Sequence, residues 1–186
     1  MSHSEENLVI SCNGKEYAAI LTHPQPTASL TAEVAFILTH GAGGDMNYKQ
    51  LVEMAGILAE NGISCLRFTC KGLNLVHRSR VYETVLNRLK EMGTFKGCFL
   101  AGRSMGARAA ATVAGTLAAD DDYVLGVVCI SYPLHPPNKL ADLRSLELGH
   151  LEQFGLQSRH TQTNHVHGLA IVNAVTRNVL LLKESG

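Results

Sequence analysis

Five residues constrain this chain more than any others: Gly102-Arg103-Ser104-Met105-Gly106. They follow Cys98-Phe99-Leu100-Ala101, a short apolar run with the character of a buried strand. They precede the alanine-rich run Ala107 to Ala114, which suits a helix. A serine at such a junction can sit on a sharp turn with its hydroxyl above the end of the sheet. The glycines answer the same geometry, because a Cβ at either flanking position would crowd the neighbouring strand and helix. The pattern also occurs by chance, so the strand–turn–helix context is what makes Ser104 a candidate nucleophile. An ordinary glycine-flanked turn is the alternative.

The rest of the chain supplies a frame for that turn. Leu8 to Ser11 and Tyr17 to Leu21 flank Asn13-Gly14, a hairpin signal. Val34 to Thr39 is continuously apolar, as a strand buried on both faces would be. Leu51, Met54, Ala55 and Leu58 recur at helical spacing from about Asn47 to Glu60, and Asn61-Gly62 closes that helix. Ser64 to Thr69 reads as the next strand, Ser79 to Met92 as a helix, and Gly97 to Ala101 as a strand. A helix reaching about Ala118 then leads to a strand over Val124 to Tyr132. Asp120-Asp121-Asp122 reads as a solvated turn. This alternation predicts a mostly parallel α/β sheet flanked by helices, with the opening hairpin as its antiparallel edge. Beyond Pro136-Pro137 the pattern changes. Leu140, Leu143, Leu146 and Leu151 suggest one more helix, Gln157 to Asn164 is unpatterned, and Leu169 to Leu182 is apolar without a decisive period.

Composition excludes several function classes. At 186 residues, 46% of them hydrophobic, the chain is expected to fold as one domain over residues 1–186. Lys+Arg and Asp+Glu both number 16, so no basic stripe argues for nucleic acid and no polybasic segment for a membrane. The polar start, Met1-Ser2-His3-Ser4-Glu5-Glu6, lacks the features of a secretion signal. The five cysteines include no Cys-x-x-Cys and lie mostly in strand-like runs. Buried free thiols, and an intracellular place, cytoplasmic or nuclear, are expected.

His40-Gly41-Ala42-Gly43-Gly44 follows a strand and precedes a helix. Such a loop can lend a backbone N–H to an oxyanion hole, and the residue after the nucleophile lends the other, which designates Ala42 and Met105. A phosphate-binding loop is the alternative, but the third glycine of a dinucleotide fingerprint is missing and no Lys-Ser/Thr follows. His40 itself reads as a hydrogen-bonded structural residue. A base and an acid should follow Ser104, and the histidines there are His135, His150, His160, His165 and His167. Asp142, Glu147 and Glu152 fall in a predicted helix and Asp120 to Asp122 precede a strand, so no strand-end carboxylate is assigned. His165-Val166-His167 could pair on a metal, but no cysteine or carboxylate pair accompanies them. No cofactor is expected.

Four segments resemble the α/β-hydrolase superfamily and, within it, the hydrolase-like family of testis-expressed protein 30. They are Ile37 to Asn47, Cys65 to Asn74, Gly102 to Gly106 and Cys129 to Leu134. The resemblance covers residues 1–140, and 141–186 form a divergent tail. It implies a sheet strand ending in a catalytic-type Asp, which has no counterpart here, and then a His segment. His167-Gly168-Leu169-Ala170-Ile171 looks like that segment, which makes His167 the best candidate base, and Val172 to Lys183 looks like a shortened last helix. Two functions follow as expectations. One is a serine hydrolase acting on an ester, thioester or amide. The other is a non-catalytic hydrolase-like module that binds a protein or small ligand. The implied partner is thus an acyl substrate or a protein.

Overall fold

Strict alternation along three apolar runs decides which side of the sheet each residue faces. In the computed structural model Ile37, Leu66 and Leu100 belong to one core, and their chain neighbours Leu38, Cys65 and Ala101 to the other. The structure describes residues 3–25, 33–118, 120–133, 135, 157–159 and 171–173. In chain order they form β1 (Ser4–Cys12), β2 (Lys15–His23), β3 (Val34–Thr39), α1 (Lys49–Glu60), β4 (Ser64–Phe68), α2 (Leu75–Met92), β5 (Gly97–Arg103), α3 (Met105–Thr116), β6 (Val124–Ile130), β7 (Gln157–Arg159) and β8 (Ile171–Asn173).

Six strands make one sheet in the order β1-β2-β4-β3-β5-β6. The β3–β4, β3–β5 and β5–β6 pairs are parallel, and the hairpin joins antiparallel through β2 to β4. This is the mostly parallel α/β sheet with an antiparallel hairpin edge. Helices α2 and α3 cover one face, through Val81, Val85, Leu86 and Leu89 and the alanines Ala107 to Ala114. Helix α1 covers the other through Leu51, Ala55 and Leu58. The Tyr82 hydroxyl ties α2 to the two central strands: it accepts the Ala101 N–H at 2.9 Å and lies 2.7 Å from the Ile37 carbonyl it donates to. All five cysteines are buried and free. Burial pushes the thiols of Cys65, Cys98 and Cys129 up to about 12, so they stay protonated. No helix among the described residues is long and apolar enough to cross a membrane.

Several boundaries differ from expectation for local reasons. Helix α2 starts at Leu75 rather than Ser79, because the Asn74 side chain accepts the His77 N–H at 3.0 Å and caps it. Strand β6 stops at Ile130, where Ser131 takes φ 49° and turns the chain. Strand β6 is an edge of the six-stranded sheet; β8 lies beside it but pairs with β7 in a separate sheet. Strand β8 takes Val172 and Asn173 out of the expected last helix, consistent with the β-branched pair Ile171-Val172. The helix expected around Leu140 to Leu151 lies outside the described residues.

The aspartate turn is solvated at Asp120 and Asp122, which are exposed, and is corrected at Asp121. Asp121 is not a solvated residue: its carboxylate binds Lys90 Nζ at 2.7 Å and accepts the Tyr123 and Val124 N–H groups at 3.1 and 3.2 Å. Its side chain keeps 15% of its exposure. Burial pushes the carboxyl up, but the Lys90 hydrogen bond and the two backbone donors outweigh it and hold it below the usual value. A depressed carboxyl contributes stability that is present above the unfolded-state pKa and lost as pH falls through the folded one. Asp121→Asn is therefore expected to lower the unfolding free energy by about 1 kcal/mol at pH 7. In urea melts the gap to the parent should close toward acid pH. A gap independent of pH would rule the carboxylate out as its source.

Candidate active site

The strand order places a switch point, where open α/β sheets have their crevice, at the carboxyl ends of β3 and β5. The chain leaves β3 for β4 on one side and leaves β5 for β6 on the other, so the two connections diverge above the β3–β5 boundary. Open α/β sheets place ligands at such switch points. The register aligns Thr39 with Gly102 and Arg103 with Ile130. The His40 to Gly44 loop, Ser104 and Ser131 therefore emerge along one edge.

Ser104 occupies a single-residue turn between β5 and α3, at φ 53° and ψ −113°. This sparsely populated positive-φ conformation costs a non-glycine residue roughly 1–3 kcal/mol, so the surroundings must hold it. The Ser104 N–H donates to the Ile130 carbonyl at 2.8 Å. Its hydroxyl occupies the N-cap position of α3 but makes no capping hydrogen bond, unlike most serines there. The glycines are needed for closeness. A Cβ on Gly102 would overlap the Gly106 carbonyl, and one on Gly106 would stand 2.6 Å from the His40 oxygen and 2.7 Å from that of Thr39. A Cβ on Gly41 would stand 3.2 Å from the Ser104 Cβ, so the glycine loop meets the serine at Gly41.

The loop is held from below. His40 is buried, its Nε2 accepts the Cys70 N–H at 3.0 Å, and its Nδ1 lies 2.6 Å from the Gly41 carbonyl. An Nε2 that accepts must be bare, so the proton sits on Nδ1 and donates to Gly41. Burial lowers the His40 pKa and favours this neutral form. His40 is thus the structural residue its sequence context implies. Its carbonyl and that of Gly41 accept from Arg78 Nη1 and Nη2 at 2.9 and 3.2 Å, while Arg78 Nε donates to Gly72 at 2.7 Å. Sequence reasoning missed Arg78. The signal was its place on the apolar stripe of α2 with Val81, Tyr82 and Val85, where a cation has to have buried partners.

Other candidates fall into two groups. Ala42 is exposed beside Gly41, and Met105 opens α3, whose first bond into the turn is Arg108 N–H to the Ser104 carbonyl at 3.2 Å. The backbone N–H of Met105 is among those a helix start leaves without an intrahelical acceptor. By contrast His167, His150, His160, His165, Asp142, Glu147 and Glu152 lie outside the described residues. His135 follows the end of β6, and its Nδ1 is buried without a hydrogen-bond partner among the described residues. No three His, Cys, Asp or Glu side chains converge as a metal site among the described residues.

The sequence model of the Alpha/beta hydrolase domain family matches residues 32–159. The chain belongs to the α/β-hydrolase family. Solved structures agree. An alpha-beta serine hydrolase homologue from Coxiella burnetii is 25% identical, with a TM-score of 0.59 over 69% of this chain and 64% of its own. An α/β serine hydrolase without a lid from Xanthomonas campestris is 19% identical, with a TM-score of 0.62 over 75% and 66%. The protein Est1E from Butyrivibrio proteoclasticus is 21% identical, with a TM-score of 0.58 over 65% and 49%. This α/β-hydrolase chain therefore spans between about half and two thirds of those proteins' lengths.

Within the α/β-hydrolase frame the two kinds of glycine should separate cleanly. Gly106→Ala forces a Cβ against two strand-end carbonyls and is expected to cost about 1–3 kcal/mol or more. Gly56→Ala, on α1, meets only His3 Cε1 at 3.8 Å. It should be neutral or stabilise by up to about 1 kcal/mol. Chemical denaturation of both variants checks this, and equal effects would refute the packing argument.

Proposed function

We propose that this protein is a serine hydrolase that cleaves an ester, thioester or amide through Ser104. The observation that carries this is a non-capping serine held at positive φ above the β3–β5 crevice, against the Gly41 loop. A hydroxyl in that setting is presented to an incoming carbonyl rather than spent on the helix. Ser104 Oγ would attack the acyl carbon while His167 takes its proton. The N–H groups of Ala42 and Met105 would receive the oxyanion. Collapse breaks the bond to the leaving group, which takes the proton from His167, and water then releases the acid by the reverse sequence. The names of the Coxiella and Xanthomonas neighbours, both serine hydrolases or homologues of them, support this chemistry. A closer kinship with the testis-expressed hydrolase-like family, a single domain over 1–186 and an intracellular location belong to the same proposal.

A second reading has its own support. Among the described residues the one histidine at the Gly41 loop, His40, spends both ring nitrogens on backbone, and no carboxylate takes the orienting place. A non-catalytic module that binds a ligand or protein in the crevice would look the same. Hydrolysis of 4-nitrophenyl butyrate separates the two. The parent should be slow, since loss of the orienting acid costs on the order of 10⁴-fold, and its turnover should fall by a further factor of roughly 10², to background, in both Ser104→Ala and His167→Ala. Turnover unchanged in Ser104→Ala excludes the mechanism.

A further inference from the structure

Arg103 is the last residue of β5 and stands directly before Ser104. Strand alternation puts its side chain on the face of Ala101, toward α1. There its guanidinium lies over the ring of Tyr48, 5.2 Å from the centroid. Its Nη1 is 3.5 Å from the point a Cβ on Gly41 would occupy, and the Ser104 Cβ is 3.2 Å from that same point. The cation and the serine therefore both border Gly41, so closely that even a Cβ there would crowd the serine.

The other buried arginines are spoken for. Arg67 pairs with Glu5 and the Met46 carbonyl, and Arg78 with three carbonyls. Arg103 is half-buried, and no carboxylate pairs with it among the described residues. A cation–π contact uses the charge and not the N–H hydrogens, so the guanidinium over Tyr48 still has N–H groups to offer, and two of them match a carboxylate in parallel hydrogen bonds. Contact with Tyr48 also restrains the side chain before anything binds, which lowers part of the ordering cost.

We propose that Arg103 anchors a carboxylate carried by the acyl part of the substrate, so that the preferred substrates are monoesters, thioesters or monoamides of dicarboxylic acids. The proposal rests on the hydrolase reading for the word substrate, but the anchor can be tested without turnover. In Ser104→Ala protein, calorimetry compares 4-nitrophenyl hydrogen glutarate with 4-nitrophenyl pentanoate, in which a methyl group replaces the carboxylate. The anionic ester should bind about 10- to 100-fold more tightly. Adding Arg103→Met should bring the ratio near one. Arg103→Lys keeps the charge without the fork, should retain part of the preference, and serves if the methionine variant misfolds. Equal affinities before any change at Arg103 would overturn the proposal and mean that the chain neutralises its own guanidinium. A preference that survives Arg103→Met would overturn it too. A preference lost with Arg103, in a protein without serine-dependent turnover, keeps the anchor and rejects the hydrolase. Serine-dependent turnover without the preference does the reverse.

Discussion

The buried guanidinium of Arg78 is the interaction on which the crevice depends. It joins the carbonyls of His40 and Gly41 to that of Gly72, so one side chain from α2 fixes the loops that follow both β3 and β4. Those carbonyls sit at the end of a sheet where the ladder has stopped, and without Arg78 those of His40 and Gly72 would have to find water or go unsatisfied, while that of Gly41 would keep only its bond from His40 Nδ1. Hydrogen bonds to a charged donor are worth about 1.5–3 kcal/mol each, enough to decide a loop's conformation. His40 completes the frame by binding Cys70 and Gly41 through its two ring nitrogens. The chain thus fixes the floor of the loop with buried polar groups and leaves Gly41 to face the serine.

The strain at Ser104 makes sense only against that frame. Its positive φ is maintained because α3 must start immediately after β5, and because Gly102 and Gly106 let strand, turn and helix touch. Gly106 in turn rests on the carbonyls of Thr39 and His40, the second of which Arg78 also holds. The turn and the loop are therefore one mechanical unit. Loosening either should release the strain and lower the serine toward an ordinary capping position, where its hydroxyl would bond the helix.

Most of the frame is legible from residue order alone, because runs such as Val34 to Thr39 and Cys98 to Ala101 are apolar on both sides and can only be central strands. The turn at Ser104 is legible because glycine spacing there has a steric cause. Asn74 hides the start of α2, since a cap is one residue and competes with the apolar stripe as a signal. Asp121 hides in a run of three aspartates because its partner, Lys90, lies far off in the chain. Arg78 hides for the same reason: its acceptors are carbonyls, which every residue has and no sequence marks. The acid and base are least legible. Residues after Pro136 carry little periodicity to place them, and His167 rests on a resemblance alone.

Whether Ser104 is activated is the point on which the account turns, and covalent labelling measures it directly. The intact chain should react with a fluorophosphonate to give a single adduct by mass, and peptide mapping should place that adduct on Ser104. The absence of any adduct on a folded chain, or an adduct elsewhere with Ser104 unmodified, would contradict an activated serine and leave the crevice as a binding site.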